Sequence, residues 1–330
     1  MNQPPETSIR VRDKDLHIFV SQAAQKVGLP EEKAELLATL LVTNDLRGVF
    51  SHGSQQIATY ARLMRDGKLN PNPNVQVINE TPLSVTVDGD GGLGYFPAYE
   101  GTLKAIEKAK AQGVGLMSSR NHGHFGAAGI YSRLTVGHDL LTFVTSGAQL
   151  NLSEGKPIYS AGGGSPMSFC SPGDGEDPLV IDFGAMHDLY ASSPHREEIA
   201  RLAPGMVFRS IGLGAICQTW GGFLAGVPLE EERAVKEYSG ANQGAFVITF
   251  RIDLFADPGL FKQEMDAYVR QVKTLEPLEG FEQSHLPGGP EAERQRAYHE
   301  AGIPVGPGHQ ERLENLAEEL ALEVPWRRTN

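Results

Sequence analysis

The chain has 330 residues, with 40% hydrophobic and 21% charged, enough for one large domain or two modest ones with a sizeable core. Forty-one acidic against 29 basic side chains give a formal net charge of −12, which argues against a nucleic-acid partner, since phosphate binding needs clustered Lys and Arg. Two cysteines, Cys170 and Cys217, without Cys-x-x-Cys spacing suggest neither a disulfide framework nor a zinc knuckle, and with no leader-like or membrane-length apolar run the expectation is a cytoplasmic protein without a membrane span.

Helical spacing begins at Leu16, Phe19 and Val20 and continues through LPEEKAELLATLLVTNDLRG, where Pro30 and the acidic residues suit a helix start and Gly48 a stop. A second helical piece, IATYARLMRDGKL, follows His52 and runs into the breaker NPNPN. From there strands alternate with helices: SVTVDGD, AYEGTLKAIEKAKAQG, VGLMSSR, LLTFVTS, PLVIDF and GAFVITFRI. The pattern predicts a layered α/β body over 76–308 with a largely buried sheet, after a helical section over 1–75. An amphipathic helix over 309–323, carrying Leu313, Leu316, Leu320 and Leu322, is expected to pack back on that helical section.

Three polar clusters could carry chemistry. In DLRGVFSHGSQQ, His52 stands at a helix-to-helix junction between Ser51 and Gly53, where small neighbours admit a ligand. In SSRNHGHFGAAGIYS, His122 and His124 follow an apolar strand, and a histidine of near-neutral pKa is the natural proton carrier at pH 7. Their i, i+2 spacing with no nearby carboxylate does not point to a metal. The third run, SAGGGSPMSFCSPGDGEDPLVIDF, could set glycine N–H groups against a phosphate, or be an irregular turn between strands. Asp182 at its strand end could bind a ribose hydroxyl, or be a cap or surface carboxylate. His17, His138, His195, His299 and His309 are read as packing or surface residues. The run GDGGLGYF at 89–96 is read as lacking the spacing of a dinucleotide fingerprint, so no standard Rossmann turn is expected.

In order along nearly the whole chain, NDLRGVFSHG with Tyr60 and DGKLNP, then DGDGGLG, RNHGHFGAAG, GGGSPMSF with LVIDFGAM, and LPGGPE, resemble the motifs of the type 2 malate/L-lactate dehydrogenase family. The resemblance implies an α/β fold of the L-sulfolactate dehydrogenase-like type, a mixed-sheet body that is not Rossmann, with a helical subdomain. It further implies NAD or NADP as cofactor and a homodimer with the active site at the subunit interface. The reaction implied is hydride transfer between nicotinamide and a small 2-hydroxy or 2-keto acid, or a related imine.

By the same resemblance His52 and His124 match the proton carriers, with Ser51 and Arg47 beside the first; Gln56, Tyr60 and Arg120 fall on the substrate side. Ser146, Gly164, Ser165, Asp182, Gly184 and Arg209 fall on the cofactor side. The chain departs from the family pattern in three places. Gln56 stands where members carry an arginine suited to a substrate carboxylate, the segment between LVIDFGAM and PGMVFRSIGLGA is short, and Arg209 replaces a lysine. The departures leave open two other readings, a cofactor-free lyase or isomerase and a catalytically silent metabolite-binding homologue.

Overall fold

The N-terminal helical signals become α1 (Asp13–Lys26) and α2 (Glu31–Leu46), preceded by a short strand β1 (Ile9–Val11), in a computed structural model that describes residues 4–234 and 236–326. Acidic residues open both helices and Lys26 closes α1, each sign complementing the helix dipole. The two helices pack together, α1 burying Leu16, Phe19, Val20 and Ala23 and α2 burying Leu37, Ala38 and Leu41. Two short 3-10 turns over Phe50–His52 and Ser54–Gln56 then lead into α3 (Ile57–Arg65), which buries Ile57, Tyr60, Ala61 and Met64.

From residue 74 to 286 the chain forms a second unit around a seven-stranded sheet. Its first half is β2 (Gln76–Glu80), β3 (Ser84–Asp88), α4 (Tyr95–Gln112), β4 (Val114–His122), α5 (Gly129–Arg133) and β5 (Leu140–Ala148). There follow β6 (Pro166–Ser171), β7 (Leu179–Gly184), α6 (Arg196–Leu202) and α7 (Pro204–Ile216), which runs on as a π-helix over Cys217–Phe223. The unit closes with β8 (Gln243–Arg251) and α8 (Pro258–Val272). Strand order is β2-β3-β4-β8-β5-β6-β7, with β3–β4 parallel and the other pairs antiparallel, a mixed sheet rather than a doubly wound one.

Helices α4 and α5 cover one face of that sheet. Gly115 lets the α4 backbone at Ala105 come so close that a Cβ there would overlap it, and Thr135, Thr142 and Thr249 link α5's end to β5 and β8 by hydroxyl contacts of 2.7 and 2.8 Å. The opposite face receives the π-helix, whose Trp220 meets Phe143 and Phe246 edge-on. Leu116, Ile248, Phe143 and Phe169 on this face stay partly exposed in the single chain, so the sheet is less buried than the strand hydrophobicity predicts. A helix on only one full side is the physical reason.

At the far edge Asp266 of α8 accepts the N–H groups of Asp174, Gly175 and Glu176 at 3.0, 2.8 and 3.2 Å, clamping the loop between β6 and β7. The remaining elements are α9 (Gly289–Ala301), β9 (Ile303–Val305) and α10 (Pro307–Leu320). They belong to the helical unit: residues up to Pro73 and those from Pro287 onward form one body. The expected boundary at 308 is therefore corrected to the 286/287 junction. The cause is pairing that no local pattern announces, with β9 antiparallel to β1 and α9 packed on α2, while α10 packs on α1 and α3.

Candidate active site

In the helical unit, α2 ends just before the turn that presents Ser51 and His52. The Ser51 hydroxyl lies 3.0 Å from His52 Nδ1, and the turn is tied down from both sides. Asn44 Nδ2 donates to the His52 carbonyl at 2.9 Å, and Asp45 Oδ2 accepts the Ser54 N–H at 2.8 Å. Gly53 is required here, because a Cβ would overlap the Asp45 carboxylate. Gln55 and Gln56 both turn inward, donating at 2.6 Å to the carbonyls of Phe50 and Ser51 respectively. Arg47 Nε donates to Gln295 Oε1 at 3.0 Å, and Tyr60 is buried in α3.

Sequence reasoning missed the support beneath this turn. Asp45 is wholly buried at the end of α2, and burial pushes its carboxyl up to about 7 against the opposing pull of Ser54. Ser54 Oγ lies 2.9 Å from Nε2 of His309 on α10, a residue read as simple packing, and burial pushes that imidazole down to about 4. The sequence signal was a pair of polar residues, Asn44 and Asp45, closing a helix whose preceding turns are apolar.

In the α/β unit, the run GDGGLG between β3 and α4 does place Gly89, Gly91 and Gly94 at the G-x-G-x-x-G spacing, between a strand and a helix of a parallel βαβ unit. The reading that the spacing is absent is therefore corrected. The run nevertheless makes no phosphate cradle of the Rossmann kind, because its donors are already used. Gly89 N donates to Arg120 O, Asp90 N to Asp88 Oδ1, Gly91 N to Asn121 O, Gly92 N to Gly89 O and Gly94 N to His124 O, each within 3.0 Å. What the glycines do is stitch two loops together and hold His124.

The two histidines of that second loop have different fates. His122 is wholly buried, with Nδ1 2.7 Å from Gly123 O and Nε2 2.9 Å from Ser119 Oγ, and burial pushes it down to about 4. It is a neutral structural ring. His124 is half-buried at the loop's open end. Arg120 is exposed and pairs with Asp88 at 3.2 Å, while Asn121, at φ 52, donates to the other Asp88 oxygen at 2.8 Å.

Of the cofactor-side residues, Gly164, Ser165 and Gly184 come together. Ser165, at φ 48, accepts the Met186 N–H on its hydroxyl at 2.9 Å and the Ala185 N–H on its carbonyl at 3.0 Å, and Gly184 lies against Gly164 O. The Ser165 hydroxyl is thus occupied within the fold. Ser146 is buried on β5 beneath Gly221, Asp182 is exposed with its carboxylate over Gly129, and Arg209 is exposed on α7 rather than in a glycine loop.

The π-helix adds a residue that sequence reasoning did not name. Gln218 Oε1 accepts the Ala148 N–H at 3.2 Å, while its Nε2 is buried without a hydrogen-bond partner among the described residues. A π-helical insertion is a frequent mark of a functional segment, and an orphaned amide donor there has a ligand's carbonyl or phosphate oxygen as one natural acceptor. Gly163 lies beside Gln218 Oε1, so a ligand oxygen accepting from Nε2 would also meet this open glycine backbone, whereas the Asp182 carboxylate lies over Gly129 on the α5 side of the sheet. No three His, Cys, Asp or Glu side chains converge as metal ligands among the described residues. No single described helix is long and apolar enough to cross a membrane.

The sequence matches the malate/L-lactate dehydrogenase family over residues 11–186 and 194–314. It is 26% identical to the L-sulfolactate dehydrogenase of Methanocaldococcus jannaschii, covering 93% of this chain and 96% of that one. It is 24% identical to the NAD(+) ureidoglycolate dehydrogenase of Escherichia coli K12, covering 90% and 93%. The fold superposes on the malate dehydrogenase of Pyrococcus horikoshii OT3 with a TM-score of 0.83 at 25% identity, over 98% of this chain and 99% of that one. The unmatched residues 187–193 fall in the segment already noted as short. The histidine motifs and the mixed sheet thus sit in a frame shared along the full chain, and the protein belongs to the malate/L-lactate dehydrogenase family of oxidoreductases.

Proposed function

We propose that this chain is an NAD- or NADP-dependent dehydrogenase that interconverts a small 2-hydroxy acid and its 2-keto acid, or the related amine and imine, with His52 or His124 as proton carrier. The observation that carries the reading is the Ser51–His52 pair, a histidine whose Nδ1 is met by a hydroxyl at 3.0 Å on a turn held by Asn44 and Asp45. A ring so oriented can hold a proton at a fixed atom, which is what general acid catalysis of carbonyl reduction requires. His124 on its glycine-braced loop is the alternative carrier.

The bound nicotinamide supplies or accepts the hydride. Gln218 and the backbone at Gly164 would hold it, with Arg209 on α7 suiting a phosphate; Ser165 and Gly184 support that backbone from behind, while Asp182 faces Gly129 on the α5 side of the sheet. On the helical unit, Gln56 would face the substrate with the amide N–H that Ser51 O leaves unused, Arg47 standing beside that turn. An amide at 56 recognises a carboxylate by hydrogen bonding without charge, which favours substrates with a further polar group over the simplest keto acids.

The chain would work as a homodimer in the cytoplasm, where its two free buried cysteines remain reduced. The half-open sheet face and the exposed side chains of Met206, Phe208, Leu213, Ile216 and Trp220 along α7 and the π-helix support a second copy as their cover. The test of the proposal is His52→Ala, expected to cut turnover by about 10² to 10⁴ with urea unfolding unchanged. Turnover within a few-fold of the parent would remove His52 from the role.

A further inference from the structure

The Ser51–His52 turn rests on a buried carboxyl whose chemistry is unusual. Asp45 is 0% exposed; Oδ2 accepts the Ser54 N–H, while Oδ1 is sealed from solvent with no hydrogen-bond partner among the described residues. Oδ1 lies so close to Gly53 that only glycine fits there. One residue on, Ser54 Oγ is 2.9 Å from His309 Nε2, so the turn is fastened to α10 by a single hydroxyl. Asn44 and Asp45, consecutive at the end of α2, thus hold the carbonyl of His52 and the N–H two residues later.

We infer that Asp45 is a positioning residue for His52: its neutral carboxyl keeps the turn docked on α10 through Ser54 and His309, and its ionisation rearranges that link. This rests on the reading of His52 as a proton carrier. With one oxygen unpaired, a neutral carboxyl leaves only its own O–H without an acceptor, whereas a buried carboxylate leaves a charge unsolvated and demands a second donor, the larger cost. The adjacent hydroxyl is Ser54 Oγ, which lies within reach of both Asp45 and His309 Nε2 but can donate to only one of them at a time.

Ionisation would turn that O–H toward Asp45, and His309 would then have to carry its proton on Nε2 to keep the contact. The imidazole changes tautomer without changing charge. The upward displacement of Asp45 to about 7 and the downward displacement of His309 to about 4 place this exchange near neutral pH with His309 uncharged throughout.

Other charges around the network are few. Arg312 on α10 faces His309, Arg47 follows Asp45 by two residues, and Arg294 on α9 lies against Gly48. On α3, Arg62 and Arg65 are engaged by Glu319 of α10, and on α1 His17 faces Thr39 and Glu35. His52 is the titratable group on the turn itself.

The test is nitrogen NMR of histidine-labelled protein across pH 5 to 9, roughly two units either side of the folded Asp45 value, for the parent, Asp45→Asn and Ser54→Ala. The asparagine keeps an acceptor for Ser54 N–H but cannot ionise. The expected result is a tautomer change at His309 centred near neutrality in the parent and lost in both variants, with the neutral-pH limb of the kcat profile also lost in Asp45→Asn. A purely structural role would lower kcat uniformly and leave its pH profile intact. His309 signals that do not change in the parent, or that change alike in all three proteins, would overturn the inference. The NMR readout needs no turnover, so a failed assignment of His52 is separable from a failed assignment of Asp45; if the asparagine variant does not fold, the serine variant decides.

Discussion

Replacing Gly94 by alanine tests how the His124 loop is held. Gly94 has φ −67, so an alanine meets no backbone objection and the question is space alone. A Cβ there would sit 2.5 Å from His122 Nδ1, 2.7 Å from Gly123 O and 2.8 Å from Phe125 Cβ. None of these can yield cheaply, because the His122 ring is pinned at both nitrogens and Gly123 O is backbone. Overpacking costs about 1–3 kcal/mol, and loss of the His122–Gly123 hydrogen bond adds about 0.5–1.5, for a total of roughly 2–4 kcal/mol. With a urea slope of about 1–3 kcal/mol per molar, the unfolding midpoint should fall by about 1 M. Turnover should fall too, since Gly94 N–H anchors the His124 carbonyl. Gly137→Ala is the control: nothing lies within 4 Å of its Cβ position, and the change should be close to neutral. If Gly94→Ala unfolds and turns over like Gly137→Ala, the stitched-loop account is wrong.

Two further predictions concern the rim of each unit. Asp266→Ala removes the acceptor of three N–H groups and should cost about 3 kcal/mol or more in urea unfolding. Burial works against this carboxylate, but the N–H groups of Gly175, Asp174 and Glu176, with Arg270, hold its pKa below the ordinary value. Its stabilisation is therefore present above the unfolded carboxylate pKa and is lost as pH falls through the lowered one. The alanine variant should lack that acid slope, and an unchanged slope would count against the clamp. Gln56→Arg should add a charged grip on a substrate carboxylate worth about 1.5–3 kcal/mol, lowering KM for a 2-keto acid about tenfold or more; an unchanged KM would place position 56 away from the carboxylate.

The helical section, most strands of the body and the family motifs were legible because they are local: amphipathic spacing in α1 to α3, β-branched runs in β3, β5 and β8, and glycines beside His52 and His124. What stayed hidden is set by distant partners. The three-residue β1 has no pattern of its own and exists by pairing with β9 some 290 residues later, which also carries α9 into the helical unit. His309 reads as an ordinary helix residue until Ser54 is found at 2.9 Å, and Asp45 until its burial is seen. The GDGGLG run shows the reverse case. Its spacing matches a dinucleotide turn, but whether the N–H groups are free for phosphate depends on the His124 loop lying beside them. Ser165 likewise has the residue type of a binding group while its hydroxyl is occupied by Met186.

Central to the proposal is a nicotinamide cofactor held at the Gln218 amide, whose Nε2 is buried without a hydrogen-bond partner among the described residues. The most direct measurement is a titration of the purified protein with NADH and with NADPH, followed by nicotinamide fluorescence and calorimetry. The account predicts saturable binding of at least one of them, weakened when Gln218 is replaced by Leu; folded protein that binds neither would contradict it.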